Sequence, residues 1–247
     1  MLAEQVMTCT LIGLSISPWT VNASFTLDHA RIAYEYIEHT PMLGELWLRT
    51  KARQKPASVP LLLDEAARPV MGTWAIAEYV NGRTDGTLIP ADERAAVRDW
   101  HERSDRLLDA ARVLLFERLV ADDAALRESL PAFLPAALRG PLTFSAKQAV
   151  KYLQKKYAGK HPRAPHEIVH AELEHLAHAI EGRATLLDHF SYADIAMAST
   201  INGFAPTELE PRTRAMGPAL RACWARPELI ERFPTLLTWR DAIYQHR

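Results

Sequence analysis

Ser58-Val59-Pro60-Leu61-Leu62-Leu63-Asp64 and, after the turn-like Glu65-Ala66-Ala67-Arg68, Pro69-Val70-Met71-Gly72-Thr73-Trp74-Ala75-Ile76-Ala77-Glu78-Tyr79 decide the fold. Pro60 stands where a strand tolerates proline, at its opening. X-Pro is also the bond at which a cis peptide costs least, and the sequence predicts a cis Val59–Pro60 bond. The N–H and C=O of Val59 would then face outward and could pair with a peptide-like ligand as an added strand does. Residues 69–71 can fold back on 61–63 as a hairpin. Gly72-Thr73 then opens a helix, with Thr73 as a cap candidate, and a helix N-terminus suits a carboxylate. The same pattern also fits an ordinary hairpin leading into an ordinary helix.

Upstream, residues 8–14 form a β-rich run in which Cys9 reads as a small packed residue. Ser17-Pro18 is a helix start, with Ser at the N-cap and Pro at N1. That helix runs towards Arg31, and the alternating, aromatic 33–39 is a second strand. Strand, helix and strand make a βαβ unit. A short helix spans 43–51. Arg49, Lys51, Arg53 and Lys55 make a basic stretch before the hairpin. Residues 84–90 are turn-rich and end in Pro90, which places a domain boundary between an N-terminal unit, 1–83, and a C-terminal unit, 91–247. No alternation persists beyond it. Helical spacing predicts helices at about 91–120, 145–158, 165–181, 192–203, 213–224 and 234–246, with Pro131, Pro135 and Pro141 breaking the chain between the first two. Ser191-Tyr192-Ala193-Asp194 has capping-box form.

The 247 residues are 48% hydrophobic and 24% charged, the balance of a globular protein. With 29 basic and 30 acidic side chains the net charge is −1, which argues against a nucleic-acid partner bound through phosphates. No run approaches the ~18 apolar residues of a membrane span, so no membrane partner is expected. The first seven residues lack the basic and apolar regions of a signal peptide. Two cysteines, Cys9 and Cys223, fit a cytoplasmic protein with free thiols.

A βαβ unit, a proline-led ββα unit, a linker and an all-helical domain resemble the cytosolic glutathione transferases. Ser17-Pro18-Trp19, Ser58-Val59-Pro60, Gly72 to Tyr79 and Ser191-Tyr192-Ala193-Asp194 carry the resemblance, in the family's order and across nearly the whole chain. It implies a thioredoxin-like N-terminal domain followed by an all-helical C-terminal domain, glutathione as co-substrate, a small electrophilic substrate, and a homodimer. It implies that Val59 and Pro60 meet the cysteinyl backbone of glutathione and that Gly72-Thr73 meets its γ-glutamyl end. The family's acid is absent at Gly72, which weakens the expected grip on the glutamyl ammonium, and Gly72→Asp or Gly72→Glu is expected to restore it. Lys55 or Arg53 could meet the glycyl carboxylate, or form a solvated basic loop.

Only a thiolate is nucleophilic, and a free thiol is mostly protonated at neutral pH. A hydroxyl donor at a helix N-terminus favours the anion. Ser17 is so placed, with Ser15 and Thr20 as fallback donors, although a plain helix cap would use the same hydroxyl. Family members with Cys at this position act as thiol reductases, so Ser17 implies conjugation or the related peroxidase chemistry. Ile16, Trp19 and Trp100 are candidates for an apolar co-substrate wall. The alternative is a binding or scaffold protein that keeps the fold without the chemistry. His166-Glu167-Ile168-Val169-His170 matches the H-E-x-x-H zinc signature, but Val169, Leu173, Leu176 and Ile180 form the apolar stripe and no third ligand is evident, so no metal is expected.

Overall fold

A computed structural model of the chain describes residues 8–41, 43–130, 134–157, 163–214 and 216–247. Four strands, β1 (Cys9–Gly13), β2 (Tyr34–Glu38), β3 (Leu61–Leu63) and β4 (Pro69–Met71), form one sheet of order β2-β1-β3-β4. β1 and β2 pair in parallel, and the other two pairings are antiparallel. Helices α1 (Pro18–His29), α2 (Glu45–Ala52) and α3 (Thr73–Asn81) belong to this part of the chain. The remainder is helical: α4 (Arg94–Ala121), α5 (Asp123–Glu128), α6 (Ala136–Tyr157), α7 (Pro165–Ala179), α8 (Tyr192–Phe204), α9 (Pro211–Arg214), α10 (Pro218–Trp224), α11 (Pro227–Ile230) and α12 (Thr235–Tyr244). A thioredoxin-like unit followed by a helical unit is the expected architecture.

The sheet is central because its inner strands are apolar on both faces: Leu11, Ile12, Leu61 and Leu62 are all buried. α1 is buried along almost its whole length although it carries Thr20, Asn22, Ser24 and Thr26. Its hydroxyls turn back on the helix, Ser24 Oγ donating to Val21 O at 2.9 Å and Thr26 Oγ1 to Asn22 O at 2.9 Å. The helix can therefore pack between α3 and α8 without stranding polar groups. Phe25 and Leu27 of α1, Leu62 of β3, Ile76 of α3 and Ile201 of α8 share one core that runs through both parts of the chain. Asp194 anchors α8, accepting from the Ser191 N–H at 2.9 Å and the Leu186 N–H at 2.7 Å.

Four boundaries differ from the sequence reading. α6 begins at Ala136 rather than 145 and contains Pro141. Pro141 is the sixth residue of α6, so the helix gives up one i→i−4 bond within its first two turns and continues beyond it. The predicted helix at 213–224 divides into α9 and α10, the latter opened by Gly217-Pro218. The short α5 and α11 were not anticipated; Asp122 caps α5 by accepting from the N–H groups of Ala124 and Ala125. The readings at residues 1–7, Pro131 and 158 lie outside the described residues.

Candidate active site

Sheet register assembles the site. Gly13 at the end of β1 lies beside Glu38, Ile12 beside Leu61, and Leu61 beside Met71. One edge of the sheet therefore carries the β1–α1 loop, the Val59–Pro60 peptide and the N-terminus of α3. The Gly72 N–H donates to Pro60 O at 3.0 Å and ties the last two together. Gly13 is where the chain runs closest to α1: a Cβ there would stand 2.3 Å from the Thr20 methyl. The Thr20 hydroxyl accepts the Leu14 N–H at 3.0 Å and sets the loop on α1.

Ser17 is the N-cap of α1, yet its side chain makes no capping bond. Its backbone does the structural work, the N–H donating to Leu14 O at 2.9 Å and the C=O accepting from Val21 N at 3.0 Å. Cap and catalyst would compete for this hydroxyl, and the cap does not take it. Of the fallback donors, Thr20 is fully buried, its hydroxyl accepting the Leu14 N–H, and Ser15 donates to Glu38 through its N–H at 3.1 Å and its hydroxyl at 3.3 Å. Tyr36 also donates to Glu38, at 2.7 Å. Glu38 as organiser of this loop was missed in the sequence because only the parallel β1–β2 register brings it here.

The Val59–Pro60 bond is cis, as is Lys55–Pro56. Among the described residues nothing pairs with the N–H or C=O of Val59. Gly72 has φ 89° and ψ 155°, a region open essentially to glycine alone. The backbone thus accounts for glycine here, and it qualifies the expectation that an acid at this position simply restores a contact. Thr73 is buried rather than presented outward. The first N–H groups of α3 remain as the donors for an anion. Lys55 and Arg53 are exposed.

The three candidate wall residues separate. Ile16 lines a narrow crevice together with Pro18, Gly203, Met216 and Trp224, and Ser17 is not part of its lining. Trp19 faces α4, its Nε1 donating to Asp105 Oδ1 at 2.9 Å and its ring lying 5.0 Å beneath the Arg112 guanidinium, so this wall is polar. Trp100 is not brought to the site. It is buried against α7, its ring 5.3 Å from that of His175. α4 is flanked by α7 on one side and by α1 and α8 on others, and periodicity alone cannot assign a tryptophan among them.

Behind Trp19 lies a polar chain, buried at Tyr192, Asn22 and His101 and half-exposed at Asp105, that the sequence reading did not find. Tyr192 donates to Asn22 Oδ1 at 3.1 Å and stands 3.5 Å from His101 Nδ1, while His101 Nε2 is 3.3 Å from Asp105 Oδ2. His101 also packs against the rings of Trp74 and Tyr192, which touch each other as well. Burial pushes the His101 imidazole below its ordinary pKa and the Asp105 carboxyl above its own. The spacing of His101 and Asp105 on one helix face was the available signal.

On α7, Val169, Leu173 and Leu176 are buried, His166 is exposed, and His170 rests against Phe233. Among the described residues no group of three or more His, Cys, Asp or Glu is placed to hold a metal ion.

The fold is shared with the glutathione S-transferases. A glutathione S-transferase from Methylobacillus flagellatus KT with GSH bound has 19% identity and a TM-score of 0.57, over 96% of this chain and 98% of that one. One from Methylobacterium radiotolerans JCM 2831, in complex with glutathione sulfonate, has 18% identity and a TM-score of 0.59, over 95% and 89%. A possible glutathione S-transferase from Rhodopseudomonas palustris has 14% identity and a TM-score of 0.61, over 96% and 94%. No protein-family model matches the chain, and no curated protein matches it in sequence.

Proposed function

We propose that the chain is a glutathione transferase in which Ser17 donates a hydrogen bond to the glutathione thiolate and favours its attack on a small electrophile. The observation that carries the reading is the Ser17 hydroxyl: it sits at the positive end of α1, free of any capping bond. On this reading the Val59 backbone receives the cysteinyl residue, the start of α3 receives the glutamyl carboxylate, and Lys55 faces the glycyl end. A cytoplasmic homodimer completes the reading. The polar surroundings of Trp19 modify the apolar wall, leaving Ile16 as its apolar member.

The glutamyl end of the site favours a binding protein without the chemistry: Thr73 is buried, and Gly72 offers no acid. Thermal melting with and without glutathione, alongside steady-state conjugation of an electrophile panel, tests both. A ligand bound only by the folded state raises the midpoint. A shift with conjugation supports the transferase, a shift without conjugation the binder, and no shift removes glutathione from the reading.

A further inference from the structure

α6 differs in charge from the rest of the molecule. Its sequence holds Arg139, Lys147, Lys151, Lys155 and Lys156 and no acidic residue, in a chain whose net charge is −1. One face is committed to the core, where Val150 is buried and Ala146 and Leu153 pack with it against Leu119, Leu126 and Trp224. The opposite face is open. Phe144 is 69% and Tyr152 68% exposed, and Gln148, Lys151 and Lys155 are exposed with them. At about 3.6 residues per turn, Phe144, Lys151 and Lys155 fall on one line, with Gln148 and Tyr152 alongside. Lys147, at the flank, is paired with Asp123 at 3.1 Å. Among the described residues neither Lys151 nor Lys155 meets a carboxylate.

A single exposed apolar side chain is ordinary. Two exposed aromatics threaded by unpaired lysines on an acid-free helix form a surface that complements an anionic, partly apolar partner. We propose that this face of α6 docks the protein on an anionic phospholipid surface. Phe144 and Tyr152 enter the boundary between headgroups and acyl chains, and Lys151 and Lys155 meet lipid phosphates. The inner face of α6 belongs to the core, so the helix lies flat on the bilayer. No helix among the described residues is long and apolar enough to cross it; the proposal revises the sequence expectation of no membrane partner, which rested on spanning runs and not on a surface-lying helix. A second copy fits less well, because two-fold docking of an acid-free stripe on itself sets lysine against lysine.

Co-sedimentation of the full chain with vesicles tests this, using phosphatidylcholine alone and phosphatidylcholine mixed with phosphatidylglycerol, at low and high salt. The expected result is binding to the mixed vesicles only, weakened by salt. The pair Lys151→Glu with Lys155→Glu should weaken it roughly thirtyfold or more. The pair Phe144→Ser with Tyr152→Ser should weaken it as well, with unchanged melting of both variants because all four side chains are exposed. The proposal is overturned by absence of binding, by equal binding to both vesicle types, or by binding indifferent to both variants. It is equally overturned if the variants change the oligomeric state while vesicles fail to bind, which would make the face a contact between copies.

Discussion

The Tyr192 hydroxyl on α8 stands 3.5 Å from Nδ1 of His101 on α4, 91 residues away in sequence. Both side chains are buried where α1, α3, α4 and α8 meet. The contact places a titratable ring inside the seam between the two parts of the molecule.

That position makes acid stability depend on His101. Burial lowers its pKa from 6.5, opposed by Asp105 and Glu102 and assisted by Arg98. Below 6.5 the unfolded chain takes up a proton that the folded chain resists, so stability falls as the pH drops through that value and stops falling below the folded pKa. Asp105, raised by burial, acts in the opposite sense from its ordinary range upward. Urea unfolding of wild type and His101→Gln between about pH 7.5 and 5 reads the difference. The variant should start less stable and lose less on acidification. Parallel pH profiles would exclude His101 as the sensor.

Gly72 provides a test of backbone against side chain. Its conformation is nearly exclusive to glycine, and a Cβ there would meet no atom within 4 Å. Strain rather than collision should therefore set the effect, about 1–3 kcal/mol of lost stability for Gly72→Ala. Gly72→Asp should lose a similar amount. Its glutathione affinity has meaning only against Gly72→Ala, over which calorimetry should find it tighter. Undiminished stability in both variants would contradict the strain argument.

These two cases mark the limit of what the sequence discloses. Ser17-Pro18, the Pro60-led hairpin and Ser191 to Asp194 were legible because each is a local pattern with a local cause. The βαβ unit and the hairpin account for the β1–β2 and β3–β4 pairs, whereas the antiparallel β1–β3 pairing that joins them into one sheet has no local signal. The conformation of Gly72 was not legible, because it depends on a bond to Pro60 O across the hairpin. Nor was the burial of Thr73, which depends on tertiary packing rather than on its neighbours in sequence. Trp19 and Trp100 looked alike as tryptophans at helical spacing, and only the neighbours of each helix distinguish them.

α7 separates a motif from its face. Leu173 is fully buried and His166 exposed. Leu173→Ala should cost about 2–5 kcal/mol, whereas His166→Ala should stay within about 0.5 kcal/mol. Elemental analysis should find no stoichiometric zinc. One zinc per chain, lost in His166→Ala, would reverse the assignment of this helix.

Ser17→Ala separates the transferase from the binder. A hydrogen bond to a charged group contributes about 1.5–3 kcal/mol, and each 1.36 kcal/mol is tenfold in rate. Loss of the donor should therefore lower conjugation efficiency roughly ten- to a hundredfold. Because the wild-type hydroxyl makes no capping bond, the melt should change by less than the ~1 kcal/mol of an ordinary cap. Ser17→Cys should behave differently. A thiol at a helix N-terminus has a lowered pKa and should form a mixed disulfide with oxidised glutathione, seen by intact mass, while conjugation falls. Full conjugation by Ser17→Ala would move the thiolate donor elsewhere; the Ser15 hydroxyl already donates to Glu38 and Thr20 is fully buried. Glutathione shifting the melt of every variant while none conjugates would leave a binding site without the transfer chemistry.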